Sequence, residues 1–245
     1  MKKIFVICLF VVLPLLANAE GDEHLDKANV DLSNQKSLQN GARTFVNYCL
    51  SCHSARYMRY SRMAKDIGLS KKELKKDYMY AGNKVGETMT VAMTGAESKA
   101  YFGIKIPDLT VIARSRGPDW LYTYLRTFYT DSSRPWGVNN ATFKDVGMPD
   151  VLWKLQGLQK AIFKTHKDAE GNAIKVITGY KTVVPGTMSK AEYDKTIHDL
   201  VNFLVYMGEP AKMVRYALGV KVLIFLAVFL VLAYALKKEF WKDVH

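Results

Sequence analysis

From Ser37 onward the apolar positions of the chain fall at helical spacing. Leu38, Ala42, Phe45, Val46 and Cys49 recur every three or four residues, which predicts a helix running into the segment around Cys49. Gly41 sits four residues before Phe45, and the missing side chain there lets another helix approach closely. The expected partner lies near the end of the soluble part. There Tyr193, Ile197, Leu200, Leu204 and Met207 fall on one side of a second helix, opened by Ser189 and Glu192 at capping-box spacing and closed by Gly208 and Pro210.

Between these two helices the pattern is more broken. Ser70 and Glu73 open a charged helix, and Val85 to Met93 is a short apolar piece. The stretch from Phe102 to Thr110 reads as a loop entering a helix near Asp108. Gly117-Pro118-Asp119-Trp120 then breaks the chain and starts a helix over Leu121 to Phe128, followed by a loop from Ser132 to Asn140. In residues 168 to 187, turn residues surround the β-branched pieces Ile174 to Thr178 and Thr182 to Val184, which predicts a small β-hairpin.

The two ends differ from this middle. Lys2 and Lys3, an apolar run from Ile4 to Leu16 and then Ala17-Asn18-Ala19 follow the order of a secretory signal, with cleavage expected after Ala19. Residues 20 to 36 are polar and acidic without apolar period, and are expected to form a loosely held arm. Tyr216 to Leu236 carries a single charge, Lys221; as a helix it is about 31 Å long, enough to cross a hydrocarbon core. Lysines balance on its two flanks, so the signal sets the orientation. The chain divides into a signal peptide (1–19), an acidic N-terminal arm (20–36), a periplasmic domain (37–214), a transmembrane anchor (215–236) and a cytoplasmic tail (237–245).

Composition changes this picture little. A net charge of +12 could point to nucleic acid or anionic lipid, but an exported protein meets little nucleic acid. Residues 20 to 214 hold 28 Lys and Arg against 21 Asp and Glu, a moderately basic surface. No nucleic-acid partner is expected.

The chemistry gathers in Cys49-Leu50-Ser51-Cys52-His53. Two thiols at this spacing can add across the vinyl groups of one porphyrin, with the adjacent histidine reaching the iron; the pattern signals one covalent c-type haem. Structural zinc needs four ligands, and neither a second Cys-x-x-Cys nor spaced histidines exist. A thioredoxin-like pair would need a βαβ setting that the flanks lack, and a disulfide across two residues is rarer still. Removal of the signal takes Cys8 away and leaves only the two motif thiols.

The sixth position of such an iron sets its behaviour: methionine suits electron transfer, whereas an open site binds small ligands. Met58 and Met63 follow His53 too closely to reach the far side of a planar macrocycle. Met148 stands between Gly147 and Pro149, and the proline bars it from helical dihedrals, giving a stiff loop able to aim a thioether. Met89, Met93, Met188, His166 and His198 stay open as alternatives.

Cys49 to His53, Ile106-Pro107-Asp108-Leu109, Ala113 to Trp120, Asp145-Val146-Gly147-Met148-Pro149 and the final anchor occur in the order found in the cytochrome c1 family. The chain resembles that family, its bacterial branch most, from about Ser37 to the tail. The resemblance implies a mainly α c-type cytochrome domain with a small hairpin insertion and one C-terminal transmembrane helix. It implies thioether links at Cys49 and Cys52, axial His53 and Met148, Arg116 paired with a haem propionate and Pro107 beside the haem. It further implies an electron-transfer subunit without a catalytic site of its own, working with cytochrome b and a Rieske iron-sulfur protein in quinol:cytochrome c oxidoreductase and passing electrons to a c-type cytochrome. Ile106 stands where the family often has a first proline, and this domain is net basic where mitochondrial members are acidic. A haem subunit of another membrane oxidoreductase and a haem-based gas sensor are the competing readings.

Overall fold

The computed structural model describes residues 25–167 and 172–243; the signal segment and the first residues of the arm lie outside them. The core is a crossing of two helices. α1 (Gln35–Thr44) is capped by Asn34, whose side chain accepts from the Ser37 amide, and it widens into a π-helical turn over Phe45–Cys49. α8 (Lys190–Gly208) opens on the Ser189/Glu192 capping box and buries Tyr193, Ile197, Leu200, Leu204 and Met207. The two meet at Gly41, where a Cβ would stand 2.0 Å from the Asp199 carbonyl oxygen and 2.7 Å from Phe203 Cβ. Glycine alone permits that approach, and the Phe45 and Phe203 rings pack 5.6 Å apart beside it.

A buried polar network closes the same interface. The Asp199 carboxylate accepts from Ser37 Oγ, Asn40 Nδ2 and Lys195 Nζ, and Asn202 Nδ2 donates to Ser37 Oγ. The Asp31 amide donates to Asn202 Oδ1, so the network reaches the N-terminal arm. From Leu25 that arm is not loosely held. The Asp26 amide donates to Thr123 Oγ1, the Ala28 amide to Asp119 Oδ1, and Asp26 pairs with Arg126 at 2.6 Å. Its polar residues find partners about a hundred positions downstream, which no local pattern reveals.

Between the crossing helices lie small elements: β1 (Ala55–Arg59), α2 (Tyr60–Asp66), α3 (Lys71–Asp77) with its Ser70/Glu73 capping box, and β2 (Thr88–Met89), antiparallel to β1. α4 (Gly95–Phe102) adds a helix that the apolar pattern does not predict, although Thr94 and Glu97 form the same reciprocal cap. α5 (Ile112–Arg116) starts later than Asp108, because the Asp108 carboxylate is taken up by Thr110 and by the Arg56 amide in a turn. α6 (Pro118–Tyr124), with proline in its first turn, ends before Phe128. Phe128–Thr130 (β3) instead pairs with Val138–Asn140 (β4).

The hairpin is longer than the sequence predicts and is paired differently. After the single turn α7 (Trp153–Gln156), β5 (Gly157–Lys167) pairs with β6 (Ala173–Pro185). The pieces 174–178 and 182–184 therefore belong to one strand, not to two facing ones. Its partner is hidden in Gly157 to Lys167, where Lys160, Lys164 and Lys167 interrupt the β-branched and aromatic residues.

α9 (Lys212–Phe240) has no residue buried against the body and is apolar all round apart from its ends and Lys221. At 29 residues it is about 43 Å long, more than a bilayer core demands. Such a helix is long and apolar enough to cross a membrane.

Candidate haem site

The π-helical turn ends in a tight reversal. The Leu50 amide donates to the Phe45 carbonyl, and the Cys52 and His53 amides both return to the Cys49 carbonyl, at 3.1 and 2.8 Å. The cysteines and the imidazole are thereby held on one short arc. Neither Cys49 nor Cys52 is in a disulfide. Burial pushes the Cys49 thiol up to about 12, helped by the neighbouring Cys52; a thiol so hard to ionise is a poor redox nucleophile at neutral pH. No group of three or more His, Cys, Asp or Glu side chains placed to hold a metal ion together occurs among the described residues.

His53 Nδ1 lies 2.8 Å from the Pro107 carbonyl oxygen. A carbonyl only accepts, so Nδ1 carries the proton. Burial lowers the His53 pKa, against the Pro107 hydrogen bond and the charge of Asp108. The ring is therefore neutral, with Nε2 bare and available as a ligand. The Leu109 amide donates to the Ser54 carbonyl, fastening the two strands of chain that make this contact.

Cys49, Cys52, His53, Pro107, Arg116 and Met148 all line one cavity of about 240 Å³, open on one side to solvent. The rest of its wall is almost wholly apolar, from Ile104, Leu109 and Trp120 to Leu200 and Leu204 of α8. Tyr124 Oη donates to Met148 Sδ at 3.4 Å. A Cβ on Gly147 would press within 3.0 Å of Ile104 Cδ1, so the loop lies flat on the wall. Of the alternatives, none lines this cavity. Met89 is fully buried in the core, Met188 Sδ accepts from Thr196, Met93 lines a smaller neighbouring pocket, His198 meets the Asn29 carbonyl, and His166 lies on β5.

Two asparagines that the sequence pattern leaves in a loop hold this region. The buried Asn139 Oδ1 accepts from the Asp145 amide, while Asn140 Oδ1 accepts from the Thr142 and Phe143 amides and its Nδ2 donates to the Tyr124 carbonyl. Asp145 sits at φ +60°, and Arg134 clasps both its carbonyl and its carboxylate. Burial pushes the nearby Asp150 carboxyl up to about 6, partly offset by the Leu152 amide. Arg116 lies over the rings of Trp120 (5.1 Å) and Phe143 (5.5 Å), exposed at the mouth. It forms no ion pair among the described residues.

An apolar slot, two thiols outside any disulfide, a bare imidazole nitrogen and a thioether form a donor set that fits a covalently attached haem and suits no hydrophilic metal ion. The chain matches the model of the Cytochrome C1 family over residues 27–244. It is 47% identical over 247 residues to cytochrome c1 of Allochromatium vinosum, covering all of both chains. It is 46% identical to a Nitrosomonas europaea protein named ammonia monooxygenase gamma subunit, over 98% of each chain. Cytochrome c1 of Rhodospirillum rubrum is 26% identical over 86% of this chain and 82% of its own.

Proposed function

The chain belongs to the cytochrome c1 family, and from that premise we propose that it is the membrane-anchored haem c subunit of quinol:cytochrome c oxidoreductase. Its family carries covalent haem c and transfers electrons in a bc1-type complex. In this chain Cys49 and Cys52 would carry the haem through thioether links, and His53 Nε2 and Met148 Sδ would hold its iron. Pro107 orients the imidazole through its carbonyl, and Arg116 would pair with a haem propionate, its fork suited to a carboxylate. When bound, the haem supplies a one-electron couple; the protein contributes ligation, burial and position.

The observation that carries the reading is the pairing, in one apolar cavity, of a neutral histidine whose second nitrogen is free with a single methionine. The donor is a Rieske iron-sulfur protein, the neighbour in the membrane is cytochrome b, and the acceptor is a c-type cytochrome. The haem domain is periplasmic, the helix crosses the inner membrane once, and the tail is cytoplasmic. The test is a spectrum of the purified oxidised protein beside Met148→Ala. Loss of the weak near-infrared sulfur-to-iron band in the variant is expected; persistence would hand the role to another residue.

One observation favours a second reading, in which the chain is the haem subunit of a different membrane oxidoreductase: a close relative is named as a subunit of ammonia monooxygenase. Co-purification separates the two. A b-type cytochrome and a Rieske protein come down with the chain in the first case and are absent in the second.

A further inference from the structure

Where the chain passes from the haem domain to the anchor, cations gather round one carboxylate. Glu209, in the three-residue link between α8 and α9, accepts from Arg215 Nε at 2.6 Å. The hydrogen bond from Arg215 is the main cause holding Glu209 below the usual carboxylate range. Burial opposes it slightly, and the charges of Arg215, Arg114 and Lys212 add to it. Arg114 belongs to α5 of the globular domain, and its stem lies against Gly208, where a Cβ would come within 3.4 Å of Cγ. Lys212 Nζ and the Arg215 guanidinium both lie over the Tyr216 ring, at 5.9 and 4.7 Å.

Three cations thus share one anion, and Arg114 and Lys212 form no direct ion pair among the described residues. Their height is set by the anchor. A helix of about 43 Å exceeds a ~30 Å hydrocarbon core by about two and a half turns, so its first turn stands in the headgroup layer, where aromatic and cationic residues belong. No residue of α9 is buried against the domain, so packing within this chain does not fix the domain's pose on its anchor. A ligand touching both would.

We propose that Arg114, Lys212 and Arg215 hold the phosphate of an anionic phospholipid headgroup where α9 enters the bilayer, bridging the haem domain to its anchor. The inference rests on reading α9 as a membrane span. A guanidinium fork and an ammonium are the donors such a phosphate takes, and each cation near a charged leaflet adds to its retention. Glu209, which accepts from Arg215, competes with the phosphate for that guanidinium.

The test is native mass spectrometry of the full-length, haem-loaded protein released from nanodiscs of equal phosphatidylcholine and phosphatidylglycerol. Wild type retains phosphatidylglycerol preferentially. Arg114→Gln and Lys212→Gln each lower that preference about fivefold, and Glu209→Gln raises it. Lys71→Gln, on the distant α3 surface, leaves it unchanged. An unaltered reduced spectrum shows that each variant is folded. Equal retention by wild type and the Arg114 and Lys212 variants overturns the proposal, as does a mass increment of inorganic phosphate in place of lipid. Loss of companion subunits with lipid retention intact would assign the cluster to an acidic protein instead. Carbonate extraction of wild-type membranes tests the anchor separately: release into the soluble fraction defeats the span itself, whereas the lipid site alone fails if the protein stays and retention is indifferent to Arg114.

Discussion

At the crossing of α1 and α8, two backbones touch with no room for a methyl group at Gly41, and a buried carboxylate joins both helices to the N-terminal arm. Along the outer half of the β5–β6 ribbon, by contrast, Ile162, Phe163, Ile174 and Val176 stay exposed, although the Phe163 ring meets Tyr129 edge to face. The crossing supplies Leu200 and Leu204 to the cavity wall and leads directly into the cysteine arc; the ribbon contributes no lining residue. The site therefore depends on the region that tolerates least, and the insertion is free to vary.

Substitutions should expose this asymmetry. Gly41→Val is expected to do most harm, since its Cβ would collide with the Asp199 backbone, which cannot retreat as a side chain can. The cost is on the order of 3 kcal/mol or more, read as lost yield of haem-loaded protein and a collapsed melting temperature. Asp199→Ala comes next, at roughly 2–3 kcal/mol, because buried donors of Ser37 and Asn40 lose their charged acceptor.

The same carboxylate gives a pH dependence. Burial is the largest influence on Asp199 and raises its pKa, but hydrogen bonds from Ser37, Lys195 and Asn40 outweigh it and hold the group below its ordinary 3.8. With the folded pKa depressed, the contribution is fully present above the unfolded value and is lost as pH falls through the folded one. Wild type should thus lose stability more steeply than Asp199→Asn below about pH 4, as acid unfolding curves would register.

Smaller effects follow nearer the cavity and then the ribbon. Tyr124→Phe removes the hydroxyl that meets Met148 Sδ and should cost about 1 kcal/mol, seen as a modest shift in thermal melting with the spectrum's general form kept. Replacing residues 163 to 178 by an Asn-Gly turn between Ile162 and Gly179, which already face each other, should cost less than about 1 kcal/mol. Such a deletion chiefly takes the Phe163 ring away from Tyr129, which it meets edge to face. A larger drop on calorimetry would place the ribbon inside the cooperative unit and erase the contrast.

Much of this is legible in the chain because its signals are local. Capping boxes at Ser70 and Ser189, the glycine on the apolar stripe, the cysteine spacing and the apolar run of the anchor each declare themselves within a few residues. The Thr94/Glu97 box is just as local, but no apolar stripe follows it to mark a helix. The rest is illegible for a physical reason. The arm is ordered by partners on α6 and α8 that are distant in sequence. The register of β5 on β6 depends on which of several weakly patterned stretches folds back. Asn139 and Asn140 read as loop residues, yet their side chains replace backbone partners for the segment before Met148.

The central claim is that one haem is covalently carried by the arc from Cys49 to His53. Intact-mass spectrometry of the denatured, purified chain beside Cys49→Ala/Cys52→Ala tests it most directly. The expected wild-type mass exceeds that of the polypeptide by one haem and survives acid-acetone extraction, with no such increment in the double variant. A wild-type chain with the bare polypeptide mass, or one whose pigment is extracted whole, would contradict it.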